Sequence, residues 1–176
     1  DIIAYSNIAR VDFKSHIDWQ EKYKILQVSF PVDVTATQAS YEIAYGIVKR
    51  NTHSNTPAEK WKHEYAAHRF TDLSDDVYGV SILNDCKYGH NVIDNDMIMT
   101  LLRNTDNPSR FRDTGEHDFN YSIYPHIGGL SAGRVVQEGY LFNSPFIVFE
   151  GECNEKPIIS LSNEGLIVDC IKPAED

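Results

Sequence analysis

Leu26, Val28, Phe30, Val32 and Val34 are apolar, and the residues between them, Gln27, Ser29, Pro31 and Asp33, are not. Successive side chains of an extended strand leave on opposite faces, so this period of two gathers the apolar groups on one face and excludes a helix here. Pro31 has no N–H to offer a neighbouring ladder, which predicts an edge strand or a bulge. Tyr41, Ile43, Tyr45 and Ile47 repeat the alternation and predict a second strand. Further strands are predicted over 8–13, 78–83, 97–103, 119–124, 146–150, 158–161 and 166–171, where aromatic and β-branched residues concentrate. Asp94-Asn95-Asp96 and Asn163-Glu164-Gly165 read as hairpin turns, and residues 104–116 as a long polar loop. Short strands at this spacing predict an all-β, mainly antiparallel sandwich with at most short helices.

Two stretches resist that pattern. Thr56-Pro57-Ala58-Glu59 combines a capping residue, proline at the first helical position and glutamate three after the cap, so local signals predict a helix over 57–68. Over 131–142, Val135, Val136 and Tyr140 fall near one helical face, against the helix-weakening Gly133 and Gly139.

The chain has 176 residues, 41% of them hydrophobic, enough for one domain with a core that needs no cysteine staples. Sixteen Lys and Arg against twenty-six Asp and Glu give a net charge of -10. That field, with no basic stripe, argues against nucleic acid and anionic membrane surfaces as partners. Apolar runs such as 145–149 fall far short of the ~20 residues of a membrane helix, and no charged-then-apolar leader is seen. Cys86, Cys153 and Cys170 lack a CxxC pair or a regular framework, and are expected as reduced thiols in a cytoplasmic setting.

The seven histidines form no metal pattern: Cys86 and His90, His63 and His68, and the lone His16-Ile17-Asp18 match neither a two-plus-two zinc site nor HExxH. In Glu116-His117-Asp118 the two carboxylates share one strand face and the imidazole takes the other, which disfavours an acid/base pair. With no GxSxG elbow and no phosphate-binding glycine loop, no catalytic residue and no metal ligand is predicted. Asn120-Tyr121-Ser122 is a glycosylation sequon in form only. Asn51-Thr-His-Ser-Asn-Thr56 and Asn84-Asp-Cys-Lys-Tyr-Gly-His90 are dense in hydrogen-bonding groups of the kind that recognise sugar hydroxyls, although ordinary turn chemistry also explains them.

Those segments also carry a resemblance. Val28-Ser-Phe-Pro-Val-Asp-Val34, Ala39-Ser-Tyr-Glu-Ile43, Asn51-Thr-His-Ser-Asn-Thr56, Ala67-His-Arg-Phe-Thr-Asp-Leu-Ser74, Leu83-Asn-Asp-Cys-Lys-Tyr-Gly89, Tyr124-Pro-His126 and Lys172-Pro-Ala-Glu-Asp176 occur in the order found in glycoside hydrolase family 38. The chain resembles the C-terminal β region of the cytosolic, vacuolar and prokaryotic α-mannosidases of that family. It departs from the pattern at His90 (commonly Tyr), Phe70 (commonly Trp) and Pro57-Ala58 (commonly Ser-Trp).

The resemblance implies that residues 1–176 are one β-sandwich domain, a fragment of a longer retaining α-mannosidase, with a large galactose-mutarotase-like supersandwich architecture. It implies no cofactor in the fragment, and a zinc or cobalt ion with two catalytic aspartates in an N-terminal barrel of the same chain, which would be its partner together with mannose-containing oligosaccharide. The fragment alone is expected to be inactive and to self-associate through apolar surface that the barrel covers. The resemblance further implies one helical turn after Thr56 and then extended chain over 64–71, against the local helix signal. Asn84, Asp85, Lys87, Tyr88 and Arg103, with His53 of the polar loop, are the expected residues at the rim of the mannose pocket. Two other readings stay open: a free-standing carbohydrate-binding module, and a sandwich with no sugar contacts.

Overall fold

The computed structural model describes residues 1–107, 110–144, 146, 148, 150–151, 159–163 and 166–174. The chain divides into two units, Asp1–Ser144 and Pro145–Asp176. In the first, the strands are β1 (Ile2–Ala4), β2 (Val11–Trp19), β3 (Lys24–Pro31), β4 (Gln38–Ile43), β5 (Gly46–Asn51), β6 (Tyr65–Ala66), β7 (Phe70–Ser74), β8 (Tyr78–Asn84), β9 (Gly89–Ile93), β10 (Asp96–Asn104) and β11 (Gly115–Ile127), with helices α1 (Pro57–Lys60) and α2 (Val135–Asn143). A seven-stranded sheet in the order β1-β2-β11-β8-β7-β4-β5 faces a four-stranded sheet in the order β3-β10-β9-β6. Every ladder is antiparallel, as the alternation and turn spacing predict.

Strand β3 is an edge strand, with Pro31 at its end opposite Asp96. Its Leu26, Val28 and Phe30 pack with Val34 into the core between the sheets, against Tyr41, Leu73, Ile82, Met97, Met99, Phe119 and Tyr121. Burying each such side chain contributes roughly 1.5–3 kcal/mol. Between Thr100 and Leu102 the β10–β3 register shifts at a bulge, and Leu101 and Leu102 are both buried. On the outer face of the large sheet, Phe70, Leu83 and Val135 form a second cluster with Tyr124, Leu130, Val136 and Phe142, so α2 makes a third layer. Adjacent residues Ile82 and Leu83 thus serve different cores, which explains why β8 is buried without alternation from Gly79 to Asn84.

Four sequence expectations are corrected. Residues 41–47 are not one strand: Ala44 and Tyr45 form a turn between β4 and β5, Tyr45 adopts a left-handed φ of 57°, and it is fully exposed. Exposed apolar residues on the two hairpin arms imitate the alternation of one strand. The predicted strand over 8–13 begins at Val11 and runs to Trp19, because β2 is held by β11 along its length. The capping box at Thr56 forms but supports only the single turn of α1. The chain is then extended in β6 and β7, as the resemblance implies, because Tyr65 and Phe70 find ladder partners, Phe70 fully buried and Tyr65 packed partly buried against the core. The fourth correction falls in the second unit, where residues 166–171 form no strand, since no ladder partner is found among the described residues. The predicted strands over 146–150 and 158–161, the turn at Glu164 and Gly165, and Cys153 lie partly or wholly outside the described residues.

Helix α2 uses the two glycines that weaken its prediction. A Cβ on Gly139 would stand 3.2 Å from the Phe70 ring, and one on Gly133 would stand 2.2 Å from His126 Nδ1. Close approach to the sheet requires both.

Candidate functional site

The connection from β8 to β9 is built around Asn84, which is 1% exposed. Its Oδ1 accepts the Lys87 N–H at 2.7 Å and its Nδ2 donates to the His68 carbonyl at 2.8 Å. Its own carbonyl accepts from Asn143 Nδ2 at 3.0 Å. Asp85 Oδ2 accepts both the backbone N–H (2.9 Å) and the Nδ2 (2.8 Å) of Asn120. These bonds fix the turn, with Lys87 half-buried and Tyr88 exposed. Lys87 Nζ lies 4.1 Å from the Phe119 ring centroid, and Tyr88, 60% exposed, meets His68 edge to face. Burial, and then the neighbouring Asp85, push the Cys86 thiol up to about 11. It is therefore protonated at neutral pH and no nucleophile.

Arg103 lies near the far end of β10, its backbone N–H held by Asp113 Oδ2 at 2.9 Å and its side chain exposed. The registers Tyr121↔Asn84 and Met99↔His90 put the 84–88 connection and this end of β10 at the same end of the sandwich. His53 follows β5 at the opposite end, beside the β9–β10 turn, where Asp94 N–H donates to the Thr52 carbonyl at 2.7 Å. The structure therefore gathers five of the six expected rim residues at one end and sets His53 apart.

The two acidic motifs meet across β2 and β11, with Asp18 opposite Glu116 and His16 opposite Asp118. His16 Nδ1 and Asp118 Oδ1 are 2.8 Å apart on an exposed face, and that bond raises the pKa of His16. His117 leaves on the other face, where its Nε2 meets the Asp113 carbonyl at 2.9 Å. Among the described residues no three His, Cys, Asp or Glu side chains form a ligand group for a metal ion. The donors among the described residues do not make a site for the divalent ion that the resemblance implies in the N-terminal barrel.

Three buried polar networks escape sequence reasoning. Asp72 Oδ1 accepts from Ser81 Oγ (2.7 Å) and His126 Nε2 (2.9 Å), and its Oδ2 accepts from Ser74 Oγ (2.7 Å). Serine, histidine and aspartate meet here, but both bonds end on the aspartate, so no base activates the serine. Glu42, 4% exposed, pairs with Arg69 at 2.8 Å, and the Arg69 guanidinium stacks 3.6 Å over the Tyr140 ring of α2. Arg10 joins Asp12 (2.8 Å) to Glu138 (3.5 Å) and so ties β2 to the same helix. Asp12 and Asp72 alternate with Phe13 and Leu73 of the core between the sheets and lie on the opposite face of their strands, so no break in the alternation marks them as buried. All three networks hold the fold together.

Residues 1–111 match the family model described as "Glycosyl hydrolases family 38 C-terminal domain". The chain is 40% identical over 182 residues to Alpha-mannosidase G of Dictyostelium discoideum, covering 99% of this chain and 17% of that protein. It is 36% identical to Alpha-mannosidase 2C1 of Homo sapiens, covering 94% of this chain and 16% of that protein. With the Alpha-mannosidase of Saccharomyces cerevisiae it shares 40% identity, over 97% of this chain and 16% of the relative. The chain thus spans a small part of the length of the curated relatives it matches. In fold it is similar to an alpha-mannosidase from Enterococcus faecalis V583, with a TM-score of 0.73 at 20% identity, covering 82% of this chain and 17% of that one. A further glycosyl hydrolase family 38 protein from Enterococcus faecalis gives a TM-score of 0.68 at 20% identity, over 82% and 18% of the two chains. With its two-sheet sandwich and a family match over most of its length, this chain belongs to glycoside hydrolase family 38, to the C-terminal domain of that family.

Proposed function

We propose that this chain is the β-sandwich part of an α-mannosidase that removes terminal α-linked mannose. In this reading it supports a catalytic barrel carried elsewhere on a longer polypeptide, and its 84–88 end, with Arg103, lines the rim of the mannose pocket. The observation that carries the reading is 40% identity to Alpha-mannosidase G across 99% of the chain. The chemistry at that end supports it. Lys87 brings three N–H donors, Tyr88 a hydroxyl and a ring face, and Arg103 a planar fork of donors, and none of these side chains has an acidic ion-pair partner among the described residues. Asn84 and Asp85 act behind them by holding the turn. The general acid, the nucleophile and the divalent ion belong to the rest of the polypeptide.

In the complete enzyme, Lys87→Ala, Tyr88→Ala and Arg103→Ala are each expected to lower kcat/KM for a nitrophenyl α-mannoside by about tenfold, the effect of losing about 1.4 kcal/mol of transition-state binding. Unchanged kcat/KM in all three would leave a purely structural sandwich. That second reading draws on the internal bonds that already occupy Asn84 and Asp85.

A further inference from the structure

We infer that a cleft beside His53 binds an uncharged, polyhydroxylated ligand the size of one pyranose ring, at the end of the sandwich opposite the 84–88 connection. The site is separate from the proposed mannose rim and does not rest on it. The His53 imidazole is a wall shared by two recesses. The wider, about 350 Å³, opens between the 34–37 segment and the β9–β10 turn. The smaller, about 80 Å³, lies between His53, α1 and β9. The wider one sits at the lower end of the roughly 300–1,000 Å³ typical of small-molecule sites, which suits a single ring rather than a chain.

The lining selects the ligand class. Val34 and Ala36 supply apolar surface, and Thr35, Thr37, Ser54 and Asn95 surround it with hydroxyl and amide groups. The wider recess carries one formal charge, Asp94, and the smaller carries Lys60 and Lys62 against Glu59. Glu59 is not available to a ligand: Asn51 Nδ2 donates to it at 3.0 Å, and the N–H groups of Asn55 and Thr56 at 3.1 and 2.9 Å. In the wider recess an anion meets the Asp94 carboxylate and no cation, whereas a sugar hydroxyl, donor and acceptor at once, matches the neutral groups.

The walls are also fixed beforehand. Thr52 N–H donates to the Thr37 carbonyl at 3.1 Å and its Oγ1 to the Ala36 carbonyl at 2.8 Å. Asp94 N–H donates to the Thr52 carbonyl at 2.7 Å, and Asn95 Nδ2 to the Val32 carbonyl at 2.8 Å. Among the enclosed side-chain polar atoms of this frame, His53 Nδ1 alone lacks a hydrogen-bond partner. Buried polar atoms are normally paired, and turning this ring toward the recess lets a ligand hydroxyl supply the partner in either tautomer.

The test is an amide NMR titration of the 176-residue chain, first with methyl α-mannopyranoside and methyl glucopyranoside, then with inorganic phosphate. Saturable shifts at 34–37, 52–54 and 94–95 with a pyranoside are expected, weakened about tenfold or lost in His53→Ala and retained in Lys87→Ala. Circular dichroism of His53→Ala should match the parent chain. No pyranoside shifts at this cleft, shifts indifferent to His53→Ala, or shifts there with phosphate alone would each overturn the inference. Failure of the rim proposal reads out separately, in the kinetics of the Lys87, Tyr88 and Arg103 variants.

Discussion

Replacing Gly133 by alanine tests how tightly the His126 ring is held. All three atoms nearest to the new methyl belong to that side chain: Nδ1 at 2.2 Å, Cγ at 2.4 Å and Cβ at 2.9 Å. Ordinary carbon contacts lie near ~3.5–4.0 Å, so the ring must move by more than an ångström. It has nowhere to go. On its other side Gly79 also lies close, a Cβ built there standing 2.3 Å from His126 Cε1, and Nε2 is bonded to the buried Asp72 at 2.9 Å. Overpacking costs about 1–3 kcal/mol, and a buried carboxylate losing its imidazole about 1–3 more, giving ~2–6 kcal/mol. For a unit of this size the melting temperature should fall by roughly 5–15 °C. Denaturant unfolding followed by circular dichroism measures the loss. A double-mutant cycle isolates its cause: in a His126→Ala background the ring is gone and only the Cβ contact at 2.9 Å remains, so Gly133→Ala should cost much less than in the parent chain. Additive costs in the two backgrounds would refute the argument, because the clash would then not involve the ring.

Arg69→Ala should destabilise by about 3–5 kcal/mol, since it leaves the nearly buried Glu42 carboxylate unpaired and releases Tyr140 of α2; Arg69→Ala with Glu42→Gln should recover part of the loss in a urea titration. His90 is buried with its Nε2 3.1 Å from the Lys87 carbonyl, and burial depresses its pKa to about 4 from 6.5. Folding therefore favours the neutral ring, so stability is full above pH 6.5 and declines by up to about 3 kcal/mol as pH falls toward 4. His90→Gln should flatten that slope, and an unchanged slope would assign it to other groups.

Much of the fold was legible because sheet pairing leaves a local trace. The alternation from Leu26 to Phe30, Pro31 at an edge, and the Asp94-Asn95 turn were read from neighbouring residues alone and are found as predicted. The failures are those of local reading. Ala44-Tyr45 turns without glycine, proline or asparagine, so β4 and β5 merged into one predicted strand. The capping signal at Thr56 was correct about a start and silent about length, which tertiary pairing decided. At the candidate sites, the motif 84–88 was visible as a polar cluster, but its division of labour was not: Asn84 turns inward to hold the loop, Lys87 lies half-buried over Phe119, and Tyr88 turns out. The placing of His53 at the far end, and the pairing of Asp72 with His126, depend on strand order, which no spacing along the chain encodes.

The bulge in β10 decides which way Arg103 looks. Met97, Met99 and Leu101 face the core by simple alternation, which carried onward would aim residue 103 inward as well. The extra residue between Thr100 and Leu102 resets the parity: Leu102 and Asn104 take the inward places, and the guanidinium is delivered to the surface. Were the same residues paired without the bulge, a permanent cation would point among the methionines and an asparagine would be exposed in its stead. An irregularity of a single peptide unit thus separates a strand end that can meet a partner from one that would wreck its own interior.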